Sequence, residues 1–541
     1  MADPAHPRPK AGDKRASSPR SPRRNSIIDD ITSGTQVGGS PNPLSPQPPP
    51  NDAPRNRPAA AMDWSQPLPI IKALAPKVPM IGKTALMHSL GLSETSKYWD
   101  LRTAVTINVI RSFVFTPEPT SVGKSQHLSL RDPGVKGKVW IANVSLPFTP
   151  DDDDVRQTIF GAIDHLAGAP QGDLYTAPEL VEITAEWTGY RAGATSSTPP
   201  LDASDADKYA AMMKEVVSPT TVLYLHGGAY YLMDPATHRP TTARLAKHTT
   251  GRVLSIRYRL APQHPFPAPL IDALVAYLTL LYPPPGALHT AVAPEHIVLS
   301  GDSAGGNLAT SLLLLLLTLQ RQSRTVLWGG LPRSVPLPAG TALVSPWMDI
   351  TGSSPSCADY AHFDYLPGRT AYPNGMEYAP DAIWPVTPAR TALHVDDALL
   401  LHPLVSPLAA KGELWTGAPP VWMVTGWELL SDEDRAVAGR MANAGVKVRY
   451  MEFEAMPHCF AMVVEGSAVA RKCIREWAGW MKKVVEAPGS VGEGGTVVGF
   501  KKLEERGVDV RGLDEGWEVT MGRMKERFRK NEERKEAMAK L

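Results

Sequence analysis

Cysteine is scarce, with Cys357, Cys459 and Cys473 the only three among 541 residues. Three thiols cannot build a disulfide framework, and the C-x-x-C spacing of a zinc site does not occur, so the usage suits a reducing compartment. A charge excess of either sign is also lacking. Lys and Arg number 56 against 55 Asp and Glu, a net charge of +1, which supplies no global field toward nucleic acid or an anionic surface. A chain working wholly by nucleic-acid binding is therefore disfavoured. Long apolar runs are missing as well. The most apolar stretch, 308–319 with six consecutive leucines at 312–317, falls short of the roughly 18 to 20 residues that cross a bilayer and reads as a buried helix. The N-terminus has no apolar core or small-residue cleavage site of a signal peptide. The expectation is a cytoplasmic protein without a transmembrane helix, with peripheral membrane contact left open.

What is present falls into four parts. Residues 1–60 hold 13 of the 53 prolines, with Ser, Gly and Asn and few aromatics, a composition that buries too little surface to offset ordering entropy. This part is expected to be a disordered basic tail. Arg8, Lys10, Lys14, Arg15, Arg20, Arg23 and Arg24 make it a basic arm, open to a solvated role, to phosphorylation at Ser26 or to an anionic surface. Residues 61–137 turn helical, with Leu101, Val105, Val109 and Phe113 recurring every four residues as a packing face. From 138 to 485, β-branched runs at 221–225, 252–256, 296–299, 341–344, 421–424 and 446–451 alternate with helical stretches. Strands without in-out alternation, separated by helices, indicate a mostly parallel sheet covered on both faces, an α/β fold. The stretch 353–388 has no clean period, and long irregular loops are often functional. Residues 486–541 read as a linker and a charged helix, in which Leu513, Trp517, Met521, Met524 and Phe528 form a stripe for docking on the body or on a partner.

The chemistry concentrates in 296–307, where an apolar strand runs into Gly301-Asp302-Ser303-Ala304-Gly305 and then a leucine-rich helix. Strand, elbow and helix are the context a G-x-S-x-G motif needs to expose a serine hydroxyl at a helix N-terminus. Upstream, the predicted strand 221–225 ends in His226-Gly227-Gly228, whose uncovered backbone N–H groups suit a developing oxyanion, with the N–H of Ala304 adding a donor from the elbow. A serine needs an imidazole to take its proton and a carboxylate to orient that imidazole. Both types follow in chain order, in Gly426-Trp427-Glu428 through Asp432-Glu433, and in Met456-Pro457-His458.

These stretches resemble the α/β-hydrolase superfamily, specifically its hormone-sensitive-lipase-like and arylacetamide-deacetylase-like esterases. Tyr258-Arg-Leu-Ala-Pro with Asp272, and Ser345-Pro-Trp-Met-Asp349, match that pattern too, so the likeness covers about residues 215–480. The resemblance implies an α/β-hydrolase fold with a helical cap built from the N-terminal helices. It implies Ser303 as nucleophile, His458 as general base and acid, Glu428 ahead of Asp432 as the triad acid, and oxyanion donors at Gly227, Gly228 and Ala304. No metal or cofactor is implied. Two positions depart from the family: Ala229 stands where a third glycine is usual, tolerable if its φ stays negative, and Cys459 replaces the glycine after the base. Asp302, Asp349 and Asp272 read as scaffold hydrogen-bonding residues.

The expected activity is that of a serine carboxylesterase, lipase or deacetylase cleaving small-acyl esters of bulky apolar alcohols through an acyl-enzyme. A non-catalytic ligand receptor on the same scaffold is the alternative. The expected partner is a small or lipid-like ester, and the oligomeric state stays open. Gly82-Lys83-Thr84 lacks the opening glycine and preceding strand of a phosphate loop. Asp151 to Asp154 lack the spacing of a calcium loop and suit the start of a helix at 155–166 instead.

Overall fold

The computed structural model describes residues 74–115, 118–146, 153–367 and 378–539. The expected tail, 1–60, and residues 151 and 152 of the aspartate run lie outside them. The strands of the main sheet are β1 (Val139–Leu146), β2 (Ile183–Tyr190), β3 (Thr221–Leu225), β4 (Arg252–Ile256), β5 (Ile297–Asp302), β6 (Gly340–Val344), β7 (Val421–Gly426), β8 (Val448–Phe453), β9 (Gly494–Val498) and β10 (Glu505–Val508). They lie in the order β1-β2-β4-β3-β5-β6-β7-β8-β9-β10. Pairing from β4 through β9 is parallel, while β2 runs antiparallel to β1 and β4, and β10 antiparallel to β9.

Every residue of β3, β5, β6 and β7 is buried, because successive side chains serve two cores. Leu223, Leu254 and Leu299 face one core, and Val222, Tyr224, Val253 and Val298 face the other. Two-sided burial explains the absence of polar alternation in these runs. The strands expected at 221–225 and 252–256 form with those limits, and the other four form within three residues of the expected ends. The outer strands β1, β2, β9 and β10 had not been anticipated. In β10, Glu505, Arg506 and Gly507 are exposed, a polar edge that discourages further pairing.

The first core is covered by α4 (Asp153–Ala167), α6 (Ala268–Leu281), α7 (Ala304–Arg321), α8 (Ser431–Asn443) and α10 (Trp517–Ala539), the second by α5 (Pro235–Thr249) and α9 (Ala468–Glu486). Leu312 to Leu317 of α7 are all buried, as a helix apolar on all sides requires. In α10 the expected stripe docks: Met524 is fully buried, Met521 and Phe528 pack half-buried beside it, and Trp517 Nε1 donates to the Ala409 carbonyl (2.8 Å). Residues 486–541 thus hold two strands and a docked helix where a linker and helix had been read.

Among the described residues three α-helices precede β1: α1 (Val78–Ser89), α2 (Leu101–Val114) and α3 (Val122–Ser129). The packing face of α2 differs from the expected stripe. Thr103, Ala104 and Ile107 are buried, whereas Leu101 and Phe113 are exposed. The reason lies in polar anchors at both ends. The Asp100 carboxylate caps the helix by accepting from Thr103 N (2.7 Å), and the Arg111 guanidinium donates to the carbonyls of His362 (2.6 Å) and Asp364 (2.8 Å). These contacts set the rotation of α2 and turn its small residues inward beside Trp99 and Phe363.

Replacing Met524 with Ala should cost about 2 to 5 kcal/mol of stability, read as a lower urea midpoint. An unchanged midpoint would show that α10 does not stabilise the body.

Candidate active site

The candidate residues converge at the carboxyl ends of five adjacent parallel strands, the edge where open α/β sheets place their ligands. Gly227 and Gly228 follow β3, Ser303 follows β5, Ser345 follows β6, Glu428 follows β7 and His458 follows β8. Ser303 occupies the turn into α7 with φ 53° and ψ −122°, a conformation costing an L-residue of order 1–3 kcal/mol. Its N–H donates to Val344 O (3.1 Å), and its carbonyl accepts from Trp347 N (3.0 Å). The turn needs glycine at 305, because a Cβ there would run into the Leu225 and His226 carbonyls. That close approach brings the start of α7 against the loop after β3.

In this loop Gly228 has φ 112°, and a Cβ on it would collide with the Leu232 carbonyl. Ala229 and Tyr230 also take positive φ, 50° and 63°. The condition under which alanine at 229 would be harmless therefore does not hold; the chain carries the left-handed turn without the third glycine. The loop is held from below by Asp302. Its Oδ1 accepts from Tyr224 OH (2.6 Å) and from the N–H of Gly227 (3.1 Å), and lies 3.4 Å from His238 Nε2. Burial alone would raise the Asp302 pKa, but His238 and the Tyr224 hydroxyl outweigh it and the net direction is down. Burial depresses His238, yet the Asp302 charge outweighs it and raises the imidazole pKa. His226 is pushed down to about 3 by burial and by His238. Neutral, its Nδ1–H donates to Gly227 O (2.7 Å) while its ring stacks on Tyr258 at 4.3 Å. The N–H of Gly228 meets no partner among the described residues, and that of Ala304, first in its helix, has none to find within α7.

On the opposite side, His458 Nδ1 lies 3.0 Å from Glu428 Oε1. The other carboxylate oxygen, Oε2, accepts from Ser345 Oγ (2.8 Å) and Gly426 N (3.2 Å). Asp432 points elsewhere, accepting from Ser356 N (2.9 Å) and pairing with Arg435 (2.8 Å). Of the two acids considered, Glu428 is the one beside the imidazole. Burial lowers the His458 pKa, but the charge and hydrogen bond of Glu428 outweigh it, and the net direction is up. Glu433 and Asp434 are also buried, and burial with neighbouring carboxylates pushes both well above the carboxylate range.

Cys459 is buried in a left-handed conformation (φ 48°), with its Sγ 3.4 Å from His458 Nε2. Burial drives its thiol pKa well up, so it stays protonated against the imidazole.

Two positioning residues escaped sequence reasoning. Ser345 Oγ accepts from Cys459 N (3.1 Å) while donating to Glu428, so one hydroxyl joins the acid and base loops; its motif was visible, its role was not. Fully buried Asp364 accepts from Leu429 N (2.8 Å) at Oδ2 and from His458 N (3.4 Å) at Oδ1. It lies in the stretch without period, where nothing in the pattern marks it. The three scaffold aspartates hold: besides Asp302, Asp272 pairs with Arg259 (2.7 Å), and Asp349 accepts from the N–H and hydroxyl groups of Thr351 and Ser353.

Residues 222–462 match the family described as alpha/beta hydrolase fold. The chain is 34% identical over 239 residues to an acetyl-hydrolase of Streptomyces hygroscopicus, covering 44% of this chain and 67% of that protein. It is 30% identical over 242 residues to an esterase of Acinetobacter venetianus, covering 44% and 67% respectively. A solved esterase of the bacterial hormone-sensitive lipase family is similar with a TM-score of 0.46 and 23% identity, over 72% of this chain and 99% of that one. The chain belongs to the α/β-hydrolase superfamily. It is a serine hydrolase of the esterase–lipase type, acting on ester bonds.

Ser345→Ala removes a hydrogen bond to a charged group, worth about 1.5–3 kcal/mol. The expected result is a kcat about ten- to a hundredfold lower with KM little changed; an unchanged kcat would show that Ser345 does not hold Glu428.

Proposed function

We propose that the chain is a serine carboxylesterase in which Ser303 attacks the ester carbonyl, His458 takes the serine proton and passes it to the leaving alcohol, and Glu428 holds the imidazole. The observation that carries this reading is the 3.0 Å contact of buried Glu428 with His458 Nδ1, at the same sheet edge as the strained Ser303 turn. Glu428 keeps the proton on Nδ1, so that the Nε2 lone pair, which the Cys459 thiol faces at 3.4 Å, is the one that acts as base. Gly228 and Ala304 donate to the oxyanion. Gly227, with its N–H committed to Asp302, keeps the loop in place for them. Water then cleaves the acyl-enzyme with His458 as the base.

The substrates we assign are small-acyl esters of bulky apolar alcohols. Asn307 and Leu308, one helical turn beyond Ser303, line a narrow recess with Tyr230, Phe266, His394 and Leu404, walls that suit a short acyl group. The name of the similar Streptomyces protein, an acetyl-hydrolase, points the same way.

The test follows p-nitrophenyl acetate, butyrate, octanoate and palmitate with wild type and Ser303→Ala. Acetate and butyrate should turn over fastest, and the alanine variant should lose about four to six orders of magnitude in kcat. Retained turnover in that variant would reject Ser303 as nucleophile.

Only neutral His458 accepts a proton, and Glu428 raises its pKa. Activity should therefore fall with decreasing pH through a midpoint above 6.5. Glu428→Gln, lacking the charge, should move that midpoint down while cutting kcat. A midpoint that stays put would place the acid elsewhere.

A further inference from the structure

The cap carries a surface of unusual composition. Helix α1 has no buried residue, and its exposed positions are Val78, Pro79, Gly82, Lys83, Leu86 and Ser89. At 100° per residue these fall within an arc of about 140°, so they form one face, continued past the helix end by Leu90 and Leu92. Val78, Leu86, Leu90 and Leu92 are 60–63% exposed. A surface helix normally turns its charged residues outward, as α10 does; α1 turns Val78 and Leu86 outward and presents one charge, Lys83.

The charge around the stripe has one prevailing sign. Between residues 77 and 102 the charged side chains are Lys77, Lys83, Lys97 and Arg102 against Glu94 and Asp100; Lys77 donates to the Ser112 carbonyl (2.8 Å) and Asp100 caps α2, which leaves Lys83, Lys97 and Arg102 against Glu94. An apolar face bordered by cations complements an anionic lipid surface, where the leucines enter the acyl boundary and the lysines meet headgroups. A second copy of the chain fits less well, because a two-fold contact sets like faces together and brings the cations toward one another.

We propose that the outer face of α1, from Val78 through Leu92, docks the protein on an anionic phospholipid surface. The placement would serve an enzyme with lipid-like substrates. Helix α1 packs on α2, Arg111 of α2 holds the His362 and Asp364 carbonyls, and Asp364 accepts from His458 N. The docked face is thus two elements away from the candidate base. The proposal does not depend on the assignment of the triad, since the full chain carrying Ser303→Ala should bind equally well.

The experiment sediments the full chain and its Ser303→Ala form with vesicles of phosphatidylcholine alone or mixed with phosphatidylserine. Binding is expected only to the mixed vesicles and should weaken as salt screens the charges. Replacing Leu86, Leu90 and Leu92 together by Ser should weaken it by about tenfold or more, and Lys83→Glu by about fivefold or more. Both variants should keep wild-type hydrolysis of soluble p-nitrophenyl acetate and the wild-type thermal midpoint. If the serine variant loses its fold, Lys83→Glu and the salt series decide the matter. No binding to the mixed vesicles at low salt, binding indifferent to these substitutions, or a dimer that the three serines dissociate would each overturn the proposal.

Discussion

A carboxylate enclosed in an apolar interior must find donors, because burying a charge without them is costly. Asp302 meets that demand through the Tyr224 hydroxyl, His238 and the backbone N–H of Gly227. The last of these matters most, since it ties the end of β3 to the end of β5, one residue before Ser303. The left-handed turn that follows at Gly228, Ala229 and Tyr230 is held against its own strain by this anchor and by the stacking of His226 on Tyr258. The loop after β3 and the elbow after β5 are therefore placed as a unit.

The other half of the site depends on the same principle in reverse. Here the charge is Glu428, and its donors come from three different loops: Ser345 after β6, Gly426 after β7 and His458 after β8. Asp364 reinforces the arrangement by accepting from Leu429 and His458. Burial and like charge push the pKa values of Glu433 and Asp434, one turn further along, well above the carboxylate range. The carboxylate in contact with the imidazole is that of Glu428.

Outside the family match at 222–462, the chain adds material at both ends, and the two additions are built differently. The C-terminal one is structural: β9 and β10 lengthen the sheet, and α10 seals the first core with Met524. The N-terminal one stands by the site. Its helices are fastened by polar contacts, Trp99 to the Ala455 carbonyl (2.5 Å), Arg111 to the 362–364 loop and Gln126 to the Ala261 carbonyl (2.7 Å). Apolar side chains that such contacts do not consume, those of α1 above all, remain on the surface.

The sequence by itself determined the central strands, because burial on both faces leaves a run such as 221–225 without polar alternation, and it marked the Ser303 elbow, because only glycine fits where backbones pass that closely. It also put Glu428 and His458 in an order compatible with one site. It ranked Glu428 ahead of Asp432 through the resemblance alone, since both lie beyond the same strand; in the structure the Glu428 carboxylate is the one that meets Ser345 and His458 across other strands. The packing face of α2 was likewise decided by Asp100 and Arg111, whose partners stand in the fold and not in the local pattern. Asp364 and the outer strands β1, β2, β9 and β10 were illegible for the same reason. Local periodicity reports which residues avoid water, whereas the placement of a charge depends on donors supplied from distant parts of the chain.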